Sequence, residues 1–305
     1  MKIYNNFNLN KKHKKSIILI GNFDGVHLGH RKLFELAKQY KQKFNLNIGV
    51  LTFDPMPKMF FNKKIKNFKI SNFDQKKILL QNLGVDFMIN KGFNIEFSKI
   101  KSIRFFEKII YKKINAKFVF VSNNFRFGNK REGNVSQLIK FEKKYDYKII
   151  KPKPLKLKNK IASSSMIRNF LEKGYLDKAN KLLKRNWTVV GKVEKGRQLG
   201  KKIGFPTCNI DIKDYVIAKP GVYAVRAHAK NFNSKIKGIA NLGFRPTFNQ
   251  NRLLLEVHLF NYSGNLYNKY LSVEFLKFIR SEKKFRNAKE LQKQIRMDLT
   301  IAKRT

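Results

Sequence analysis

Apolar positions in the first half of the chain alternate between two periods. "SIILIG" (Ser16 to Gly21) is a short continuous apolar run, the pattern of a strand buried on both faces. Leu33, Leu36, Ala37 and Tyr40 then recur at helical spacing, which predicts a helix over about 29–44. "NIGVLTF" predicts a second strand and "VDFMI" a third. Between them Ser71 is placed to cap a helix that runs to Leu83 and is ended by Gly84. A helix over about 102–113, the strand "KFVFVS", a helix over about 134–145 and the strand "YKIIKP" follow. Strand–helix alternation predicts a parallel sheet covered by helices, and such sheets bind ligands at the carboxyl ends of their strands.

From Trp187 the rhythm changes. "WTVVGKV", "GVYAVRAHA", "KIKGIANLG", "LLLEVHLF" and "LSVEFLKFI" are short strands joined by Gly, Pro and Asn turns, which predicts an antiparallel barrel or sandwich. A helix over about 287–303 closes the chain. A helical tail starting at Ser164 leads to a boundary near Lys184 to Asn186, giving two domains, 1–185 and 186–305.

Composition changes this picture in one respect. The formal net charge is +47 over 305 residues, which raises a nucleic-acid reading. However, 53 of the 67 basic residues are Lys and 14 are Arg, and they are spread over every segment. Arginine is the residue for bidentate base and phosphate recognition, so the pattern reads as a solvated basic surface that attracts anionic substrates such as ATP. No specific nucleic-acid partner is expected. Cys208 is the single cysteine, which excludes an intrachain disulfide and suits a reducing cytoplasm. "SIILI" is too short for a signal-peptide core or a membrane span, so no membrane partner is expected either. No Cys/His cluster has zinc spacing.

Candidate chemistry begins where the first strand ends. "GNFDGVHLGH" (Gly21 to His30) places His27 and His30 three apart at the start of a helix, on one face. Free backbone N–H groups and the helix dipole there favour an anion, and two imidazoles complete a phosphate cradle. The stretch resembles the signature of nucleotidylyltransferases, and with Gly21, Phe23, Asp24 and Gly25 in front it resembles the FAD synthetase branch. "NNFRFGNKREGN" (Asn123 to Asn134) resembles that branch's flavin-site loop, which implies that Asn124 and Arg126 face FMN or ATP. "ASSSMIRNFLEKG" (Ala162 to Gly174) resembles its I-S-S-T-x-x-R motif, which implies that Ser163, Ser164 and Ser165 open a helix while Arg168 points to the triphosphate.

The second half resembles riboflavin kinases. "GKVEKGRQLGKKIGFPTCNI" (Gly191 to Ile210) is similar to their glycine-rich loop and P-T-A-N motif, which implicates Gly196, Gly200, Lys201, Gly204, Phe205, Pro206, Thr207 and Asn209 in nucleotide binding. Thr207 and Asn209 offer hard oxygens suited to Mg²⁺ and phosphate. The likeness also implies that Glu256 is the base for the riboflavin 5′-hydroxyl and that Arg280 lies near flavin and nucleotide. By alternation along its strand, Glu256 shares a face with Leu254 and His258, which makes it part of an exposed face or of a site.

From about Ser16 to Phe285 the chain resembles the bifunctional riboflavin kinase and FMN adenylyltransferase family. The resemblance implies a nucleotidylyltransferase-type α/β domain followed by an antiparallel β-barrel with a C-terminal helix. It implies phosphorylation of riboflavin to FMN and adenylylation of FMN to FAD, with ATP as co-substrate, Mg²⁺ as cofactor and pyrophosphate released. The chain departs from the family pattern at Met56, Ser165, Met166 and Lys201, and the two methionines replace potential positive donors in the first half. Three rivals stand beside this reading: a chain with the kinase activity alone, a nucleotidylyltransferase for pantetheine phosphate or a pyridine mononucleotide, and a basic nucleic-acid binding protein. Oligomeric state is not legible in the sequence.

Overall fold

A computed structural model describes residues 1–157, 160–196, 200, 203–230, 232–246 and 251–305. Packing divides the chain into two compact units, Met1–Ile65 with Phe73–Ser163, and Lys66–Asn72 with Ser164–Thr305.

The first unit is built on strands β1 (Lys2–Tyr4), β2 (Ile17–Ile20), β3 (Ile48–Asp54), β4 (Phe87–Gly92) and β5 (Phe118–Phe120). A small hairpin, β6 (Arg126–Phe127) with β7 (Gly133–Asn134), precedes β8 (Lys148–Ile150), and a second hairpin, β9 (Lys156–Leu157) with β10 (Lys160–Ile161), follows it. The main sheet is parallel with order β1-β4-β3-β2-β5-β8. Every residue of β2 is buried, and alternate residues serve opposite layers. Ile18 and Ile20 pack with Phe105, Phe106, Ile109 and Ile110, whereas Ile17 and Leu19 pack with Phe34 and Ala37 of the helix Leu28–Phe44. The sheet is therefore covered on both faces, as its unbroken apolar strands require. From β2 the chain builds outward to β3 and β4, then returns to add β5 and β8 on the other side. The strand order thus reverses between β2 and β5, the switch point where parallel sheets bind ligands.

Several boundaries differ from expectation for local reasons. β1 was not expected, because three residues carry no periodicity; it gains its place by pairing with β4. The helix before the third strand runs Phe73–Asn82, starting two residues after Ser71, whose Oγ accepts from Arg185 Nη2 at 3.2 Å within the second unit. The helix expected over 134–145 spans Val135–Phe141, with Asn134 capping it by accepting from Gln137 N at 2.9 Å. The helix after Ser102 widens into π-helical turns over Phe105–Ile114.

The second unit carries the helices Ser164–Glu172 and Leu176–Leu183 and six antiparallel strands. These are β11 (Thr188–Glu194), β12 (Cys208–Asp211), β13 (Gly221–His228), β14 (Ile236–Pro246), β15 (Asn251–Leu259) and β16 (Tyr270–Ser281). They close in the order β11-β12-β15-β14-β13-β16, a barrel rather than a sandwich. The helix Ala288–Lys303 ends the chain, with Asn287 capping it by accepting from Glu290 N at 2.9 Å, a bond worth about 1 kcal/mol.

The packing division falls earlier than the Lys184–Asn186 boundary read from the pattern, because both helices before Trp187 are tied to the barrel. Lys219 N donates to Leu171 O at 2.9 Å, and Asn180 binds Trp187 N at 2.7 Å and Phe275 O at 3.2 Å. The segment Lys66–Asn72 joins them: Trp187 Nε1 donates to Ile70 O at 3.1 Å, and Lys69 N donates to Asp214 O at 2.9 Å.

Candidate active sites of the two units

Gly21 ends β2, and the next residues turn sharply into the first helix. Phe23, Gly25 and Val26 all have positive φ, at 48°, 77° and 41°. For a β-branched residue such as Val26 this is a costly conformation, of the kind that persists where surrounding packing enforces it. Phe23, Gly25 and Val26 are buried, as is Asp24. His27 is the N-cap of the helix Leu28–Phe44: its Nδ1 accepts from Gly29 N at 3.2 Å. That bond keeps the proton off Nδ1 and leaves Nε2–H as the donor. The His27 and His30 rings stack with centroids 3.7 Å apart and planes 24° apart. A Cβ on Gly29 would lie 3.2 Å from both Ala162 O and His27 Cε1, so the ring rests on bare backbone.

His30 is held on its other side by Phe23, edge-on at 5.1 Å. Its Nδ1 is buried and has no protein partner. Burial first, and the His27 ring second, hold the His30 pKa well below the usual histidine range. The site is thus a pair of close-packed imidazoles at a helix start, with burial disfavouring the charged form of His30.

Asn124 and Arg126 lie beyond the carboxyl end of β5, the strand that pairs directly with β2. Both are exposed, and Asn124 Oδ1 accepts from Ser122 Oγ at 3.0 Å. The loops after β2 and β5 therefore leave neighbouring strands at the same edge of the sheet. The structure adds polar groups there that the sequence reading missed. Lys76 is buried, and its Nζ donates to Thr52 Oγ1 at 3.2 Å; Thr52 Oγ1 reaches Asn22 O at 3.5 Å. Thr52 is in register with Asn90, whose Oδ1 is buried without a partner. A lysine and a threonine inside apolar segments were the available signal. Met56 is buried and offers no donor.

Ser163 closes the first unit, whereas Ser164, Ser165 and Arg168 belong to the second. The serines open the helix Ser164–Glu172 as expected. Arg168 is buried; its guanidinium lies 3.6 Å from the Phe68 ring centroid and its Nε donates to Phe68 O at 2.8 Å, so its plane is fixed.

In the barrel, register brings the second set of candidates together. Glu256 on β15 stands directly opposite Asn209 on β12 and Asn241 on β14. Asn209 in turn faces Glu194 on β11, Asn241 faces Val222 on β13, and Val222 faces Arg280 on β16. Directly opposed residues hold their Cβ atoms about 4.5–5.5 Å apart on one face of a sheet. Glu194, Asn209, Glu256 and Asn241 therefore form one polar row. Their neighbours Val193, Ile210, Leu255, Val257, Ala240 and Leu242 are buried on the opposite, inner face, so the row runs on the outer face. Glu256 is half-buried and shares that face with Leu254 and His258, as its alternation requires.

Gly196 lies against the same row. A Cβ on Gly196 would collide with Asn209 Nδ2, so a larger residue there would have to turn that amide aside. Thr207 Oγ1 lies 3.3 Å from where a Gly200 Cβ would stand, and Phe205 N donates to Gly200 O at 2.8 Å. Gly204 has φ +83°, and Pro206 O is 2.8 Å from His258 Nδ1 on β15. Lys201 lies outside the described residues. Arg280 Nε donates to both Asp298 oxygens, at 3.0 and 2.9 Å, in an interaction the sequence did not suggest. Burial raises the Cys208 thiol pKa to about 11, and Sγ meets Val257 O at 3.4 Å.

A helix start lined with imidazoles at a parallel-sheet switch point suits nucleotidyl transfer, where charge develops on phosphate oxygens. A carboxylate flanked by carboxamides beside a glycine loop suits phosphoryl transfer to an alcohol, which needs a base. The two units thus define a two-activity enzyme of nucleotide chemistry. The model of the FAD synthetase family matches residues 9–166 and that of the riboflavin kinase family residues 183–305. The bifunctional riboflavin kinase/FMN adenylyltransferase of Buchnera aphidicola subsp. Schizaphis graminum is 37% identical over 97% of this chain and 96% of its own. That of Haemophilus influenzae is 35% identical over 97% and 96%. A crystal structure of the macrolide-efflux protein from Streptococcus pneumoniae matches with TM-score 0.86 at 26% identity, over 99% of this chain and 98% of that one. No helix among the described residues is long and apolar enough to cross a membrane.

The chain belongs to the bifunctional riboflavin kinase/FMN adenylyltransferase family. It phosphorylates riboflavin to FMN with ATP and then joins FMN to AMP from ATP, giving FAD and pyrophosphate. Both halves carry family matches, so neither a kinase-only chain nor a nucleotidylyltransferase for another substrate describes it.

Proposed function

We propose that residues 1–185 carry the adenylyl transfer and residues 186–305 the phosphorylation, each with its own set of groups. The family matches over 9–166 and 183–305 separate close to that boundary and support it. For the barrel, the observation that carries the reading is the register placing Glu256 between Asn209 and Asn241, beside the loop around Gly196. Glu256 accepts the proton of the riboflavin 5′-hydroxyl as that oxygen attacks the γ-phosphorus of ATP. Gly196, Gly200, Gly204, Phe205 and Pro206 shape the nucleotide loop, and Lys201 is assigned to it by resemblance. Thr207 Oγ1 and Asn209 Oδ1 are neutral hard oxygens, a donor set that fits Mg²⁺, which keeps few protein ligands and takes phosphate oxygens besides. When bound, the ion neutralises phosphate charge.

In the first unit the FMN phosphate is already an anion and needs no base. His27 and His30 donate to oxygens of the ATP α-phosphate as charge builds there, and the start of the helix Leu28–Phe44 adds its dipole. Gly21, Phe23, Asp24 and Gly25 set the approach of the loop, and Asn124 and Arg126 reach flavin or nucleotide from the β5 side. Ser163, Ser164, Ser165 and Arg168 are assigned to the polyphosphate by motif resemblance. The single thiol, held protonated, suits a reducing cytoplasm.

Mixing two disabled full-length chains tests the division. Glu256→Gln should be unable to start from riboflavin, and His30→Ala should stop at FMN. Together, with riboflavin and Mg-ATP, they should make FAD, because FMN released by one chain feeds the other. Failure of the mixture, with both proteins folded, overturns the two-site assignment.

A further inference from the structure

The C-terminal helix Ala288–Lys303 covers the outer face of the barrel where the polar row ends. Val222, Ala224 and Ile239 pack there with Leu299 and Ala302 of the helix. In this apolar contact sits one carboxylate. Asp298 is 1% exposed. It accepts from Arg280 Nε at 3.0 and 2.9 Å, lies 2.7 Å from Arg280 Nη2, and accepts from Gln294 Nε2 at 2.9 Å. Arg280 Nη1 donates to Ser281 O at 3.0 Å. Nearly two turns nearer its start, the same helix touches the segment before Gly204: Gln292 Nε2 reaches Ile203 O at 3.4 Å.

A buried ion pair is a poor source of net stability, since apolar residues of the same volume often serve as well. What it supplies is direction. Two contacts from one guanidinium edge to one carboxylate fix the plane of Arg280, and Gln294 fixes the carboxylate. Of the five guanidinium N–H groups, these bonds use those on one edge and one on Nη1, and the rest keep a set orientation. Arg280 is also the last member of the register row that runs Asn209, Glu256, Asn241, Val222, Arg280.

We propose that Asp298 is a positioning residue for riboflavin phosphorylation: it holds Arg280 oriented for the anionic and polar groups of the substrates bound along the Glu256 row. The inference rests on the reading of that row as the phosphorylation site.

The test uses the full chain and steady-state kinetics with riboflavin and Mg-ATP. Arg280→Ala and Asp298→Asn should each lower kcat/KM for phosphorylation by about tenfold to a hundredfold, mainly through KM, as expected for losing a charged hydrogen bond in a binding role. If Asp298 acts through Arg280, the double variant should be no worse than Arg280→Ala alone, within about twofold. Asp298→Glu should recover part of the loss. FAD formation from supplied FMN should be unchanged in all of them, which also reports a folded chain. Gln294→Leu, a milder change that frees the carboxylate from one bond, should give a loss of about threefold in KM alone if Asp298→Asn folds poorly. The inference is overturned if Asp298→Asn keeps its kcat/KM while Arg280→Ala loses it, or if the two losses multiply. An unaffected Arg280→Ala chain overturns it too. Retained phosphorylation in Glu256→Gln is the distinct result that overturns the reading of the row.

Discussion

The two units solve related problems with different materials. The first holds its donors on a turn with positive φ at three of four consecutive positions, Phe23 to Val26, feeding a helix start. The second holds its candidate base, Glu256, on cross-strand pairs of a closed barrel. In the proposed division of labour, the chemistry accounts for the contrast. Adenylyl transfer has a charged nucleophile and needs N–H groups clustered around phosphate, which a helix start supplies. Phosphorylation of an alcohol needs one base at a fixed distance from nucleotide ligands, which strand register supplies. Strain is tolerated where backbone must wrap an anion, and regular pairing is used where a carboxylate must not drift.

The sharpest break of this comparison is at Glu256. In Glu256→Gln, riboflavin phosphorylation should fall by about two to four orders of magnitude, the general-base contribution, with shape retained. FAD formation from supplied FMN should not change. Running the assay once from riboflavin and once from FMN on the same protein reads both. If phosphorylation survives, the base lies elsewhere, and Asp211 and Asp214 become the candidates.

The mirror experiment is His30→Ala. It removes a donor from the cradle and an aromatic neighbour from the His27 ring, at 3.7 Å. FAD formation should fall by about two to three orders of magnitude, as for oxyanion-type donors, while FMN formation holds. Equal losses in both assays would show that the units do not act separately.

How much of this was visible in the chain differs between the units. The strands β2, β3, β4, β5 and β8 follow from continuous apolar runs, and His27 and His30 from their spacing after the first of these. Lys76, Thr52 and Asn90 were hidden, because a polar residue in an apolar run gives no hint of which other strand or helix it meets. In the barrel, alternation showed that Glu256 and Leu255 face opposite ways. It could not show Asn241 beside Glu256, nor Asp298 against Arg280, since antiparallel register is set by pairing between distant segments. The bond from Arg185 to Ser71 was equally hidden, because it joins segments more than a hundred residues apart. The assignment of the helices Ser164–Glu172 and Leu176–Leu183 to the barrel was likewise tertiary.

A smaller effect sharpens the contrast between strain and regularity. Gly29→Ala gains helix propensity, worth up to about 1 kcal/mol. Yet its Cβ would crowd His27 Cε1 and Ala162 O at 3.2 Å, so the His27 ring must shift by a few tenths of an ångström. FAD formation should drop by about tenfold while the helix becomes no less stable, because small displacements of a positioned donor are costly. Unchanged FAD kinetics would mean that the ring position is not constrained by the bare backbone beneath it.

The smallest effect is a response to acid that should be traceable to the first unit. His13 is buried, stacked on Phe87 at 4.5 Å, with Nδ1 2.7 Å from Tyr4 Oη. Burial lowers its pKa, as do Lys12 and Lys2, against an opposing pull from Asp86; burial and His27 lower that of His30 much further. In both, the folded pKa lies below the unfolded value of 6.5, so the unfolded chain takes up protons first. Stability is therefore full above about pH 6.5 and is lost as pH falls below that value toward the folded pKa values. Thermal unfolding of the full chain at pH 8, 7, 6 and 5.5 should show a midpoint lower by a few degrees at the acid end. After a brief heat step at each pH, FAD formation from FMN should be lost before FMN formation from riboflavin. His13→Gln keeps a hydrogen-bonding group without titrating, and it should flatten part of the slope. Greater stability in acid, or a slope that survives loss of both histidines, would place the response elsewhere.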